Sequence, residues 1–388
     1  MPVTDRRGMA QLLNERMQKS YTLLKERQEL EPDTSLVKTY MIEAHLPETA
    51  GPDRATAVAR LVFERSRLAQ TYSLRIFETE DPHLLQLDLT RGSEGATVYV
   101  DFTSPRFWLL HSMGSSKFLG EILRRLVAAG PDLDRVWLPA QLLEKITTLG
   151  SFRGLSLWYD RRWMADDDPQ DLEAPVAFLK MQLWGNRAGR VLRILRKERA
   201  FPNETTLSKV KVKYELSPED EDSPFSIDDI RFDGKITARG NSFQTHTTLV
   251  SIIYNSYARK LRELESDYAI RTEKAGDGVS LLGEPINFLF RRPIPNLQHF
   301  CDRVFSGSEP FRLWGVPTQR AADYFRVNAV DLHVGQRVQV EIAPRFIRYY
   351  LPAGSCANSV VRLFTNLQRH HDSLVEAVNG RGEAIFGF

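Results

Sequence analysis

Hydrophobic residues near the start of the chain recur at steps of three and four positions. Met9, Leu13 and Met17 belong to this series, and Arg16 is one of the polar residues between them. The spacing predicts an amphipathic helix over residues 5–28. Such a helix packs on its own domain or offers its apolar stripe to a partner. We therefore keep contact with partner proteins and self-association as expectations.

Farther along, two distant stretches of the chain carry the same short motifs. Four pairs match in the same order: 88–92 with 331–335, 98–102 with 338–342, 105–107 with 344–346, and 114–115 with 354–355. The third pair reads Pro-Arg-Phe in both stretches, and the fourth reads Gly-Ser. Chance accounts for one such pair but not for four in register, so we infer an internal duplication.

Each copy reads as a strand, a helix, four successive strands and a closing helix. In copy one the strands are predicted at 36–46, 72–79, 84–91, 96–104 and 106–112, with helices at 53–70 and 115–129. In copy two the strands are predicted at 284–291, 310–316, 324–333, 336–343 and 345–351, with helices at 295–306 and 356–377. The alternation of apolar and polar residues is that of half-buried antiparallel strands. We therefore predict an α+β fold of repeated units, with antiparallel curved sheets, helices on one face and the other face open.

The region between the copies predicts a third, degenerate unit. Its strands are expected at 135–138, 154–159, 176–184, 208–216 and 227–239, with helices at 139–148, 186–200 and 243–265. Two acidic insertions that contain proline, 160–174 and 217–226, are predicted to be loops. This divides the chain into an N-terminal helix (1–30), the first repeat (31–130), a middle region (131–275) and the second repeat (276–388).

A repeated unit of this kind resembles the fold of the TATA-binding protein, whose halves form a curved sheet with helices on its convex side. The resemblance is one of topology over most of the chain, together with the strand–Gly–Ser–helix junction, which residues 234–242 match best. It implies a sheet face that contacts DNA. The intercalating phenylalanines of that family have no assigned positions in this chain, so DNA kinking is not implied. Similar open sheets bind lipids or other proteins, because a fold does not fix a function.

Composition restricts the partners and the compartment. Lys and Arg total 52 and Asp and Glu total 50, a formal net charge of +2, so any basic surface must be local. The two cysteines, Cys301 and Cys356, exclude a disulfide framework and a Cys-rich zinc module and fit a reducing compartment. The chain shows no apolar signal segment and no membrane-spanning run. We expect a cytoplasmic protein without membrane contact.

The strongest local charge lies between residues 187 and 213. Nine cations stand against Glu198 and Glu204, and nine minus two gives a local charge of +7; the cations are Arg187, Arg190, Arg193, Arg196, Lys197, Arg199, Lys209, Lys211 and Lys213. Arg190, Arg193, Arg196 and Lys197 share one helical face, and the three lysines share one face of a strand. Two cationic rows suit a phosphate backbone, with DNA favoured over RNA. The alternative is that these are solvated faces balanced by the acidic residues 219–222.

Further arginines and lysines of the predicted sheets are weaker candidates for phosphate contact. They are Arg106, Arg345 and Arg348 at the Pro-Arg-Phe turns, and Lys235 and Arg239 in the middle region. Arginine pairs with phosphate through two donors, but it is equally common in structural ion pairs.

The junction before the closing helix of copy two carries Cys356 and, six positions on, Arg362. This spacing resembles the signature of cysteine-dependent phosphatases, in which the cysteine attacks phosphorus and the arginine holds its oxygens. Ser355 stands where that family has histidine, and no glycine interrupts the loop. The alternative is a helix start with a small buried thiol. We keep Cys356 and Arg362 as weak catalytic candidates.

Residues 370–372 read His-His-Asp, and we expect a surface pair of histidines, because adjacent residues of a helix point about 100° apart. Neither a metal nor a cofactor is predicted, since the chain has no phosphate-binding loop, dinucleotide motif or zinc-protease motif.

The first hypothesis for the function is a non-enzymatic protein that binds nucleic acid. The second is a structural subunit of a multiprotein complex, and the third is a cysteine-dependent phosphate-ester enzyme.

Overall fold

The chain has an α+β fold. The computed structural model describes residues 2–27, 36–45, 62–129, 133–164, 177–197, 204–220, 223–275 and 278–387. In these ranges the helices are α1 (Arg6–Arg27), α2 (Leu68–Thr71), α3 (Ser116–Ala129), α4 (Ala140–Ile146), α5 (Ala188–Lys197), α6 (Phe243–Glu263), α7 (Leu297–Val304) and α8 (Asn358–His370). None of them combines the length and the apolar run that a membrane crossing would take.

Most of the strands overlap predicted ones, but the two at residues 271–282 were not predicted. The strands up to residue 160 are β1 (Val37–Ala44), β2 (Ser73–Glu78), β3 (Leu84–Arg91), β4 (Glu94–Asp101), β5 (Phe107–Ser112), β6 (Leu133–Arg135) and β7 (Ser151–Asp160). The next are β8 (Phe178–Trp184), β9 (Leu207–Glu215), β10 (Phe225–Arg231), β11 (Lys235–Gly240), β12 (Arg271–Ala275) and β13 (Gly278–Leu282). The last are β14 (Ile286–Leu289), β15 (Leu313–Ala321), β16 (Tyr324–Asp331), β17 (Gln336–Ala343), β18 (Phe346–Tyr350) and β19 (Glu376–Val378).

The chain divides into two compact units. The first comprises residues 1–136, 147–152 and 211–254, and the second comprises residues 137–146, 153–210 and 255–388. Copy one lies in the first unit and copy two in the second. The middle region contributes segments to both.

In the first unit the sheet runs in the order β2-β3-β4-β5-β1-β11-β10, and β6 also pairs with β1. One face packs under α3, where residues such as Ile122 meet Val100 and Leu110 in a buried core. The opposite face is buried as well. Met9 and Leu13 of α1 lie there in a second core.

The prediction of an open sheet face in copy one is therefore wrong. The helices of the copy itself lie on one side, as expected, but α1 and α6 cover the other. Phe243, the first residue of α6, belongs to the same buried cluster as α1. Every residue of β1 is buried, as a strand with helices on both faces must be.

In the second unit the sheet runs in the order β15-β16-β17-β18-β14-β19. Its first five strands repeat the order β2-β3-β4-β5-β1 of copy one, which supports the inferred duplication at the level of topology. The face toward α8 is buried, and Phe288 stacks on Phe364 with ring centroids 5.9 Å apart. The other face is open: Trp314 and Val316 are 54% and 65% exposed. The prediction of an open face thus holds for copy two.

Each copy ends in a short strand that the sequence analysis did not assign to it; the first of them overlaps the strand that was predicted at 135–138 in the middle region. The closing helix α3 is followed by β6, which pairs with β1. Likewise α8 is followed by β19, which pairs with β14. Residues 371–377, predicted as the end of a helix, therefore include the first residues of β19. β19 is only three residues long, too short for a period-two pattern to show.

The middle region departs from the pattern of the two copies. The single strand predicted at 227–239 is two strands, β10 and β11, which pair antiparallel with each other. The turn between them holds Gly234 at φ +75°, a backbone conformation that residues other than glycine rarely adopt. β11 lies beside β1, and β6 pairs with β1 rather than with β11.

Replacing Gly234 with alanine is expected to lower the free energy of unfolding by about 2 kcal/mol, because the left-handed conformation is strained for alanine. The added Cβ would also lie 2.8 Å from the carbonyl oxygen of Val136 and 3.0 Å from that of Met41. Urea denaturation followed by circular dichroism measures the change.

Gly120 of α3 supplies the matched control. A Cβ at Gly120 meets nothing within 4 Å. Since glycine is unfavourable inside a helix, Gly120→Ala should raise the free energy of unfolding by about 0.5–1 kcal/mol. If both substitutions change the free energy of unfolding in the same direction, the assigned turn at Gly234 is incorrect.

Candidate nucleic-acid interface

The helix α5 carries its charge on one side. It begins after a turn at Gly185 (φ +102) that ends β8. Ala188 and Leu192 are buried on the inner side. Four cations are exposed on the outer side: Arg187, Arg190, Arg193 and Lys197. Within the described parts of the chain, none of the four forms an ion pair, so their charges face solvent.

Arg196, predicted as a fifth member of this row, is held in an ion pair. Its guanidinium nitrogen lies 2.6 Å from the carboxylate oxygen of Glu144 in α4. On a helix Arg196 lies about 100° from Lys197, toward the buried side. The contact fixes α5 against α4 and leaves the other four cations on the outer surface.

The strand β8, which precedes α5 in the chain, exposes every second residue. Phe178 and Trp184, at its two ends, are 41% and 53% exposed, and Lys180 lies between them on the same side. The ammonium group of Lys209 in β9 lies 4.9 Å from the centre of the Trp184 ring. The guanidinium of Arg162 lies 4.2 Å from the centre of the Phe178 ring.

Exposed aromatic rings and exposed cations therefore lie on two successive elements of the second unit. We name this surface the α5–β8 corner; it comprises Phe178, Lys180, Trp184, Arg187, Arg190, Arg193, Lys197 and Lys209. Sequence reasoning missed Phe178, Lys180 and Trp184. Their signal was present in the alternation of residues 178–184, because on a half-buried strand the large apolar residues are expected inside.

The other two lysines of the predicted strand row have acidic neighbours. The ammonium group of Lys211 lies 3.3 Å from a carboxylate oxygen of Asp229. Lys213 pairs with Glu215 and also lies 4.6 Å from the centre of the Phe225 ring. Arg239 approaches the same Asp229 carboxylate at 3.8 Å. These three cations are balanced inside the first unit.

The remaining candidates also lie in structural contacts. Lys235 is buried and donates to the hydroxyl of Ser116. Arg106 lies 2.7 Å from the buried carboxylate of Glu43. Arg348 approaches Glu341 at 3.4 Å on the open face of copy two. Arg345 is exposed and donates to the carbonyl oxygen of Arg291 at 3.3 Å.

The weak catalytic candidates are inside the protein. Cys356 is 1% exposed and Arg362 is fully buried. The guanidinium of Arg362 donates to the carboxylate of Asp331, and to the carbonyl oxygen of Phe311 at 2.6 Å. Because Arg362 neutralises a buried carboxylate of the chain itself, it is not placed to hold a substrate phosphate. The burial of Cys356 and Arg362 argues against the phosphatase hypothesis.

The prediction that the two histidines lie on the surface is wrong, because α8 is buried along its whole length. His370 and His371 are 6% and 3% exposed. Burial lowers the pKa of His370 to about 4 and that of His371 to about 3. Asp372, also buried, accepts hydrogen bonds from the backbone N–H groups of Arg291 and Arg292. These three residues support the core of the second unit.

Comparison with known proteins places both units in one family. A family model described as MJECL33-like protein matches residues 1–385. The chain belongs to the MJECL33-like family. One relative is uncharacterized protein MJECL33 of Methanocaldococcus jannaschii, which is 27% identical over 418 residues and is aligned over 99% of this chain and 96% of that protein. Membership of the MJECL33-like family thus concerns both units.

Proposed function

We propose that this protein binds nucleic acid without catalysing a reaction, and that the α5–β8 corner makes the contact. One observation carries the proposal. Four exposed cations lie on one side of α5, none in an ion pair within the described residues, and the preceding strand β8 carries two exposed aromatic rings. Phosphates are held by such cations, and unpaired bases stack on such rings.

The local charge favours this function over a merely solvated surface. Residues 187–197 contain five cations and no acid, a charge of +5, whereas the whole chain carries +2. After Arg196 pairs with Glu144, four cations remain along about 15 Å of helix. A solvated face gains nothing from this concentration of like charge, which costs free energy through repulsion.

The exposed rings favour single-stranded over double-stranded nucleic acid. In a duplex the faces of the bases are covered by their neighbours, so Phe178 and Trp184 have nothing to stack on. The preference for DNA over RNA and the resemblance to the TATA-binding protein remain predictions, and the proposal rests on neither. The cytoplasmic location expected from the sequence is part of the same proposal.

A salt titration tests the proposal. Fluorescence anisotropy of a labelled single-stranded oligothymidylate should report saturable binding at low salt. If four phosphates are neutralised, the logarithm of the binding constant should fall against the logarithm of the salt concentration with a slope of about −2.8. The matching duplex should bind more weakly. Absence of binding at low salt, or a slope near zero, would rule the proposal out.

The second hypothesis, a structural subunit, is favoured by a different surface. In the second unit Val279 and Leu281 of the β12–β13 hairpin are 72% and 68% exposed, and Trp314 and Val316 lie on the open sheet face. Exposed apolar side chains of this kind are typical of protein interfaces. Light scattering of the purified chain tests this hypothesis. A mass that rises with protein concentration supports self-association through this surface, and a monomer at high concentration opposes it.

A further inference from the structure

A cavity of about 310 Å³ lies between α1 and α6 on the sheet of the first unit. Its walls include the rings of Phe107, Phe243 and Tyr254. Phe107 and Tyr254 stack on each other with ring centroids 6.1 Å apart. The volume is at the lower end of the range for small-molecule sites, and aromatic rings are common in the walls of such sites.

One polar side chain of this lining is almost completely buried. His111 of β5 lines the cavity and is 1% exposed. Its Nδ1 lies 2.9 Å from the hydroxyl oxygen of Thr39. The other ring nitrogen, Nε2, has no hydrogen-bond partner among the residues that the structure describes. A polar side chain this deeply buried is costly unless its free nitrogen finds a hydrogen-bond partner.

Behind His111, a chain of buried hydrogen bonds leads to a carboxylate. The Thr39 hydroxyl lies 2.7 Å from Nε2 of His246, and Nδ1 of His246 lies 2.6 Å from the carboxylate of Asp228. All four residues are at most 1% exposed. The second oxygen of Asp228 accepts from the hydroxyl of Ser226 at 2.6 Å. Asp228, His246, Thr39 and His111 form what we call the relay.

The Asp228 carboxylate sets the tautomer of the His246 ring, and this tautomer sets the direction of the relay. Asp228 accepts the Nδ1 proton of His246, so Nε2 of His246 is the acceptor for the Thr39 hydroxyl. The Thr39 oxygen then accepts the Nδ1 proton of His111. This leaves a lone pair, not a proton, on Nε2 of His111.

The charges around the cavity cancel. Arg6 and Asp101 both line it, and they form an ion pair with each other. Burial lowers the pKa of His111 to about 3, so the ring stays uncharged at neutral pH. A ligand with a net charge would find no unpaired counter-charge in the lining.

We infer that this cavity binds a small uncharged aromatic molecule with one hydrogen-bond donor, and that Nε2 of His111 accepts that donor. The aromatic walls supply the contact area, and the relay fixes the tautomer that makes His111 an acceptor. The site lies in the first unit and does not depend on nucleic-acid binding by the α5–β8 corner.

Phenol and anisole are the matched probes, since both are aromatic and only phenol has a donor. In nitrogen-15 spectra of the full chain, His111 should show an unprotonated Nε2, and phenol should shift that signal saturably. Anisole should bind at least about tenfold more weakly, the cost of leaving a buried acceptor unpaired. Equal binding of the two probes, binding of neither, or a protonated Nε2 in the free protein would overturn the inference.

Variants add a second measurement. His111→Phe should weaken phenol binding at least about tenfold, because the acceptor is lost and the aromatic shape is kept. His299→Phe, the same substitution in the second unit, should leave it unchanged. If His111→Phe does not fold, Ser251→Phe fills the cavity from α6 without touching the relay and should also abolish binding. Retention of phenol binding in the filled variant would place the ligand elsewhere.

Discussion

Replacing Arg362 with methionine is expected to lower the free energy of unfolding by about 3–5 kcal/mol, the largest effect of any single substitution considered for this protein. The side chain is fully buried and donates to the carboxylate of Asp331 and to the carbonyl oxygen of Phe311. Methionine fills similar space but leaves the Asp331 carboxylate, 1% exposed, without its counter-charge. Urea denaturation followed by circular dichroism measures the loss.

Arg348→Met is the matched control for this substitution. Arg348 also pairs with a carboxylate, that of Glu341 at 3.4 Å, but its side chain is 41% exposed. Water screens such a pair, so the expected loss is about 0–1 kcal/mol. Similar losses for the two variants would mean that the pair between Arg362 and Asp331 is not buried as described, and would reopen a phosphate-binding role for Arg362.

Reversing two charges on α5 is expected to weaken the binding of single-stranded DNA about 100-fold at constant salt, because two charge-assisted contacts are lost and repulsion is added. The variant is Arg190→Glu with Arg193→Glu, two exposed residues of the α5–β8 corner. The salt slope should also become shallower by about 1.4, the share of two phosphates. Fluorescence anisotropy measures both quantities.

The control must change the net charge equally at another place. Arg303 and Arg320 are exposed in α7 and β15 of the second unit. Arg303→Glu with Arg320→Glu should alter affinity by no more than about threefold, the scale of a screened distant charge. If this pair weakens binding as strongly as the α5 pair, then the overall charge and not the α5–β8 corner determines the affinity.

The local architecture could be predicted because each strand carries its own period-two pattern. The bounds of β3 and β17 coincide with the predicted strands at 84–91 and 336–343. Comparison of the chain with itself supplied the order of elements, and the sheet order of copy two repeats that of copy one. The period-two pattern is local, and the order of elements comes from the duplication. Neither signal requires knowledge of contacts between distant parts of the chain.

What could not be predicted depends on contacts between distant parts of the chain. Copy one has no covering helix for its second face, and α1 and α6, from outside the copy, provide it. The same holds for the cations: Lys211 finds Asp229 on a different strand, whereas Arg190 and Arg193 find no carboxylate among the described residues. The residue types showed where positive charge is concentrated along the chain. Only the fold showed which of these cations are exposed and which are held in ion pairs.

The most direct test of nucleic-acid binding at the α5–β8 corner is photochemical cross-linking. A single-stranded oligonucleotide with bromodeoxyuridine would be irradiated in complex with the full chain, digested with trypsin and analysed by mass spectrometry. Cleavage after Lys180 and Arg187 isolates residues 181–187 with Trp184 in one peptide. We predict the principal cross-link on this peptide. Cross-links confined to the open sheet face around Trp314 and Tyr350, or their complete absence under binding conditions, would contradict the account.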